Sequence, residues 1–192
     1  MKKLLILSAA CLALASCAAW TEEEKSLIGV ASDGVMRVLT VDDHADSLLL
    51  RTPSTGLSSA ALKSPQFAAL AERMVVTVTS PEQDGVGIAG PQVGLLRRVV
   101  AVQRFDKEGE PFEVYPNIRV SDKRGPDELG GEGCLSVPGR RGEVLRSRDI
   151  DITYTSLYSY KDTTERVQGF TAVIFQHECD HLDGILYTDY ID

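Results

Sequence analysis

The sequence predicts an α+β fold, with small antiparallel sheets packed around one buried helix near the C-terminus. Two observations carry this. Residues 169–184 form a long, mostly apolar stretch bounded by Gly169 and Gly184, with Gln176, Asp180 and Asp183 as its only polar stripe. The region upstream breaks instead into short alternating runs typical of half-buried strands. Taken in order, Ser64 and Pro65 open a helix whose apolar side carries Phe67, Leu70, Ala71, Met74 and Val78. Arg98 to Gln103 and Ile118 to Ser121 are strand candidates, and Ile150-Asp151-Ile152-Thr153-Tyr154 alternates clearly. Lys161 to Thr164 reads as a turn into a strand over Glu165 to Gln168. Residues 18–35 are polar and weakly patterned, and His44 falls in a polar loop.

The C-terminal helix carries Phe175-Gln176-His177-Glu178-Cys179-Asp180-His181. Residues four apart share a helix face, so His177 and His181 can grip one cation while Glu178 reaches a water on it. Phe170, Val173 and Ile174 continue that face upstream, which sets the metal at the end of an apolar trough and suggests an apolar side chain on the substrate; ordinary core packing accounts for the same spacing. Cys179 points about 200° away from His177 and is read as packing.

Two imidazoles need a third ligand. One zinc-protease class draws an acid from a later helix, for which the residues after His181 are too few; another extends the motif to a third histidine, where this chain has Tyr187. The ligand must come from upstream, and Cys134 in Gly131-Glu132-Gly133-Cys134-Leu135-Ser136-Val137-Pro138 is the candidate, between glycine-rich and proline-bearing turns. One thiolate and two imidazoles leave a fourth position for a water that the metal acidifies and Glu178 deprotonates. A third segment, Gly85-Val86-Gly87-Ile88-Ala89-Gly90-Pro91-Gln92-Val93-Gly94, lacks the endings of phosphate loops and follows a predicted helix. Its glycines let backbone amides and the Gln92 carboxamide crowd against a substrate.

Together these segments resemble the three ordered motifs of the peptide deformylase family, G-x-G-x-A-A-x-Q, E-G-C-L-S and Q-H-E-x-D-H. The similarity runs through most of residues 36–192 and includes Arg141, Arg146 and Asp180. It implies the deformylase fold, with Cys134, His177 and His181 as metal ligands and Glu178 as general acid/base. It further implies Gln92 and the backbone N–H of Leu135 as donors to the oxygen that gains charge. Gly87 is implied to offer backbone hydrogen bonds, and Phe170, Val173 and Ile174 to line the methionine pocket. Ligand types alone suggest zinc; the resemblance implies ferrous iron, with nickel, cobalt or zinc as substitutes. The implied reaction is hydrolysis of the formyl group of N-formylmethionyl peptides by a monomeric enzyme. Gly90 departs from the family's alanine, a change expected to loosen the backbone by about 1 kcal/mol.

The N-terminus departs further. Lys2 and Lys3, an apolar run from Leu4 to Leu14, and Leu14-Ala15-Ser16-Cys17 read as a signal peptide over residues 1–16 ending in a lipobox. The expectation is a lipoprotein acylated on Cys17, facing the periplasm or cell exterior, with residues 17–35 as a tether and 36–192 as the catalytic domain. The alternative is translation from near Met36 and a cytoplasmic enzyme. Removing residues 1–16 takes the net charge from −8 to −10, which argues against nucleic acid and against electrostatic adhesion to anionic lipid. Cys134 and Cys179 remain in the body, with no disulfide framework implied. Two other functions fit parts of the pattern: a metallopeptidase of different specificity, and an inactive binding module that keeps the fold.

Overall fold

A computed structural model describes residues 19–29 and 34–191. Five helices and eight strands follow in the order α1 (Glu22–Gly29), α2 (His44–Leu50), α3 (Ser59–Leu62), α4 (Pro65–Val78), β1 (Gly87–Ala89), β2 (Val99–Gln103), β3 (Phe112–Pro116), β4 (Arg119–Lys123), β5 (Asp127–Cys134), β6 (Val137–Ser147), β7 (Asp149–Thr155), β8 (Asp162–Gln168) and α5 (Phe170–Leu182). The strands form three antiparallel sheets, ordered β1-β2-β3, β4-β7-β8 and β5-β6. The fold is α+β, as the sequence predicts.

Helix α5 is the shared centre. Ala172, Ile174, Phe175, Cys179 and Leu182 pack with Val100, Val102, Tyr115, Ile150, Ile152 and Val167, which joins the two three-stranded sheets through one core. The helix is buried almost all round, and of its polar stripe only Asp183, at the C-cap, is exposed to water. Gln176 is 2% exposed and donates from Nε2 to the carbonyls of Ser147 and Ala172, while Asp180 accepts from Arg146 at 2.6 Å. Gly184 ends the segment at φ 74, where a Cβ would stand 2.5 Å from the Arg51 carbonyl oxygen, so both the turn and the close approach require glycine.

Helix α4 begins as predicted, with Ser64 capping Phe67 N–H at 3.3 Å and Pro65 in the first turn. Its apolar side meets β1 and β2 in a second core with Phe67, Leu70, Met74, Val78, Ile88 and Val99.

The tether expected over 17–35 is corrected in its described part. Trp20 is 2% and Ile28 4% exposed, both in the core with α4. Trp20 Nε1 donates to Ser64 Oγ at 2.8 Å, Glu24 receives Arg97 at 2.5 and 3.0 Å, and Arg73 donates to the carbonyls of Ile28 and Gly34. Thr21 and Glu24 close a reciprocal capping box on α1. Three acids in the first turn made this stretch look like solvated linker, yet they favour a helix N-terminus. The signal segment 1–16 and Cys17 lie outside the described residues. No helix among the described residues is long and apolar enough to cross a membrane.

Smaller differences follow from the same physics. His44 opens α2 behind its N-cap Asp43 rather than sitting in a loop. Of the predicted turn at Lys161 to Thr164, Asp162 onward is already strand, because β8 starts at Asp162 and pairs there with Thr155 of β7. Strands β1, β3, β5 and β6 are additional to the predicted set.

Candidate metal centre and cleft

Strand β5 and helix α5 bring the centre together. Alternation along β5 sends Glu132 and Cys134 to the same face, and the 3.6-residue turn of α5 stacks His177 and His181. The donor atoms of Cys134, His177 and His181 all lie within 4.8 Å of one another, with Cys134 Sγ 3.2 Å from His181 Nε2. The His177 and His181 rings meet edge to face at 5.0 Å. A soft thiolate with two imidazoles is a donor set for a divalent transition metal, and three donors converging on one point fit such an ion.

Behind the donors is a charged support. His177 Nδ1 is 2.8 Å from Glu132 Oε2, which leaves Nε2 for the centre. Glu132 in turn accepts from Arg146 Nε at 2.8 Å, and Arg146 also donates to Asp180. Arg146 is only 4% exposed, so this Glu132–Arg146–Asp180 chain is a buried, mutually paired network that fixes the ring of His177. Burial opposes the charge on Glu132, but hydrogen bonds from His177 and Arg146 outweigh it and hold its carboxyl at about 2. Burial likewise opposes a proton on His177, yet its contacts with Cys134 and Glu132 raise it to about 10. Burial, with the His177 charge added, pushes His181 well below the usual imidazole range. Tyr187, at the position of a protease's third histidine, stacks on His177 at 6.0 Å and 27°.

Glu178 stands beside this centre at 4% exposure, and its Oε2 is buried without a hydrogen-bond partner. Such an atom is costly unless it has work to do. Burial raises its carboxyl to about 7, with the charges of Glu132 and Asp180 adding to the effect, which brings it near the ideal for proton transfer at neutral pH. Gly87 makes room for it: a Cβ there would stand 2.5 Å from Glu178 Oε1.

Gln92 sits in a 3-10 turn, Gly90–Val93, directly after β1. Its Oε1 accepts from Ala89 N–H at 2.8 Å, which fixes the amide so that Nε2 points to Ser136 Oγ at 3.2 Å and Cys134 Sγ at 3.7 Å. Leu135 lies in the two-residue turn between β5 and β6, and its N–H makes no hydrogen bond within the described residues. The glycine at 90 differs from expectation. It does not merely loosen the backbone, since a Cβ would come within 2.5 Å of the Arg97 carbonyl oxygen and 2.8 Å of that of Leu95.

Gly87, Gln92, Cys134, Leu135, His177 and Glu178 border one cleft of ≈ 820 Å³, which is also lined by Phe170, Val173 and Ile174. Val173 and Ile174 are buried, whereas Phe170 is 48% exposed at the mouth against Phe105. The trough inferred from helix spacing is therefore open to a ligand. Strand β1 has a neighbour only on its β2 side, and β5 only on its β6 side. Residues of both strands line the cleft, so an extended peptide can pair with backbone there. Cys179 belongs to the core, where burial raises its thiol to about 12.

Sequence reasoning assigned no role to Glu132, Arg146, Asp180 or Ser136. Glu132 was within reach of it, because two-residue alternation from Cys134 leads straight to a carboxylate. The pairing of Arg146 with that carboxylate depends on the β5–β6 hairpin, which the sequence reading did not contain.

The family model for polypeptide deformylase matches residues 35–192. A peptide deformylase of Leptospira biflexa is 34% identical over 148 residues, 73% of this chain and 81% of that protein. One from Finegoldia magna is 41% identical over 113 residues, 58% of this chain and 67% of that protein. Among solved structures, the class I type b peptide deformylase of Acinetobacter baumannii bound to Met-Ala-Ser aligns with a TM-score of 0.71 at 34% identity, covering 82% of this chain and 98% of that one. The Thermotoga maritima peptide deformylase aligns with a TM-score of 0.70 at 29% identity, over 82% and 98% of the two chains. With this fold, this cleft and a match over residues 35–192, the chain belongs to the peptide deformylase family.

Proposed function

We propose that this chain is a metal-dependent hydrolase that removes the formyl group from the N-terminal formylmethionine of peptides and releases formate. Its ion is held by Cys134, His177 and His181. The observation that carries the reading is Glu178: a buried carboxylate with an unpartnered oxygen, lining the cleft beside Val173 and Ile174 and next to a thiolate–imidazole donor set. When bound, a divalent cation at those donors supplies Lewis acidity that activates water and polarises the formyl carbonyl. The family resemblance supports ferrous iron as that cation.

The remaining steps are those of the chain itself. Glu178 Oε2 takes a proton from the attacking water and returns it to the departing amine, which becomes the free N-terminus of the peptide. Gln92 Nε2 and the Leu135 N–H donate toward the formyl oxygen as it gains charge. The Ala89 bond to Gln92 Oε1 keeps that carboxamide from rotating. Val173 and Ile174, with Phe170 at the mouth, receive the methionine side chain and exclude water around Glu178. The open edges of β1 and β5 hold the peptide backbone extended, which suits a short unfolded N-terminus and not a folded loop.

The Leu-Ala-Ser-Cys sequence at Leu14 to Cys17 supports a mature lipoprotein acylated on Cys17 and held outside the cytoplasm. Its substrates there are formylated peptides that have left the cytoplasm. The acidic net charge supports no nucleic-acid partner.

Incubation of ferrous-loaded protein with formyl-Met-Ala, acetyl-Met-Ala and an internal-bond protease substrate tests the specificity. Formate from the first alone is expected. Cleavage of an internal bond overturns the reading in favour of a metallopeptidase.

A further inference from the structure

Trp20 bonds to Ser64 at the first turn of α4, Ile28 meets Arg73 further along, and Met36 N–H donates to Thr77 Oγ1 near its end. The described N-terminal segment therefore runs parallel to α4, and the chain enters the fold at the α4 N-terminus. Cys17 precedes Trp20 by three residues in the sequence, so the chain joining them can span at most about 11 Å. A lipid there is not on a long leash.

The same end of the molecule carries its most exposed aromatic side chain. Lys63, which precedes the Ser64 cap, lies over the Tyr160 ring at 4.6 Å. Tyr160 closes the tight β7–β8 turn by donating its N–H to the Ser156 carbonyl at 2.8 Å. At the tip of that turn Tyr158 is 96% and Leu157 41% exposed. Trp20 bonds to Ser64 and Tyr160 lies under the adjacent Lys63, so the chain entry point and the β7–β8 turn meet neighbouring residues at the start of α4.

We propose that the β7–β8 tip, Leu157 and Tyr158, is a second membrane contact that seats the enzyme on the lipid surface holding its Cys17 acyl chains. The inference rests on the lipoprotein reading and deepens it. Tyrosine with a neighbouring leucine is suited to the headgroup boundary, where one end is apolar and the other wet, and burial there adds to the hold of the acyl chains. Lys63 and Lys161 flank the tip, but the exposed acids Glu22 and Glu23 at the start of α1 offset them, so the contact is apolar rather than electrostatic.

The seating also orients the cleft. Helix α4 has 14 residues and rises about 20 Å. Its far end, Val78, accepts a 2.8 Å bond from Gly85 N–H, a cleft residue. With its N-terminus at the lipid, α4 holds the active site about 20 Å above the surface, in reach of soluble peptides.

The test uses the full acylated chain, its lipid on Cys17 verified by mass spectrometry, on vesicles of phosphatidylethanolamine with a minority of phosphatidylglycerol. Tyrosines are iodinated by a membrane-impermeant enzyme and mapped by peptide. Exposure alone makes Tyr158 react ahead of Tyr190, which is 51% exposed; on vesicles the order is expected to reverse. Replacing both tip residues (Leu157→Ser with Tyr158→Ser) is expected to speed transfer between vesicles about tenfold and to leave hydrolysis of soluble peptides unchanged. Tyr158 still the more iodinated on vesicles overturns the contact while the lipoprotein reading stands. Shielding that appears only at high protein density assigns the tip to a second copy and also overturns it. An unacylated Cys17 overturns both.

Discussion

Replacing Gly87 by alanine is a direct probe of Glu178, because it moves the carboxylate without touching a metal ligand. The added Cβ would stand 2.5 Å from Glu178 Oε1 and 2.8 Å from Ile174 Cγ2, while ordinary contact begins near 3.4 Å. The carboxylate must therefore retreat by about 0.9 Å. A misplacement of about 1 Å at a proton-transfer group costs roughly a hundredfold in rate, or about 2.7 kcal/mol of transition-state stabilisation. The assay is kcat/KM for formate release from formyl-Met-Ala, run beside elemental analysis of bound metal. The expected result is a loss near a hundredfold with one ion per chain retained, since Cys134, His177 and His181 keep their places. Gly87→Ala with activity within about threefold of the parent and full metal content would refute the assignment of Glu178 as the positioned proton carrier.

Four other outcomes follow from the geometry. Glu178→Gln keeps the shape of the site and removes its base, so kcat is expected to fall by about 10²–10⁴ while metal binding persists, as read by stopped-flow and metal analysis. Glu132→Gln weakens the support of His177, and metal affinity measured by chelator competition is expected to fall about 10–100-fold. Gly90→Ala, although it restores the residue common in the family, is expected to lower the melting temperature because backbone carbonyls of Arg97 and Leu95 occupy the space. Directly after β2, Arg104 holds Asp106 in a two-pronged pair at 2.7 and 2.8 Å, which keeps that carboxyl below its ordinary range. A lowered carboxyl contributes stability that is present above the unfolded value of about 4 and lost as pH falls through the lower folded one. Asp106→Asn is therefore expected to cost about 2 kcal/mol at neutral pH, and thermal melts of variant and parent should begin to converge as pH falls below about 4 and meet only below the lower folded value.

The sequence made the reacting residues legible because their spacing is local. The stacking of His177, Glu178 and His181 needs only helix geometry, and the trough residues Phe170, Val173 and Ile174 follow from the same periodicity. Cys134 came out only by elimination and Gln92 only as the polar side chain of a glycine-rich segment, and their roles at the centre needed the resemblance, since nothing local ties either to the helix. The hairpin was hidden because β5 carries Gly130, Gly131 and Gly133, which read as turn, and β6 carries Arg140, Arg141 and Glu143 with little alternation. Without that pairing the Glu132–Arg146–Asp180 support could not be seen. The N-terminal helix was missed for a different reason: its stability is tertiary, resting on two buried side chains, Trp20 and Ile28, and on the Arg97–Glu24 pair, none of which a weak local pattern announces.

The central claim is that the Cys134, His177 and His181 centre, served by Glu178, hydrolyses a formamide. Formate release from formyl-Met-Ala, followed as metal-free protein is titrated anaerobically with ferrous ion, tests it most directly. The account predicts a rate that rises linearly and saturates at one ion per chain, and that is lost in Glu178→Gln at the same occupancy. A fully loaded chain that releases no formate would contradict it.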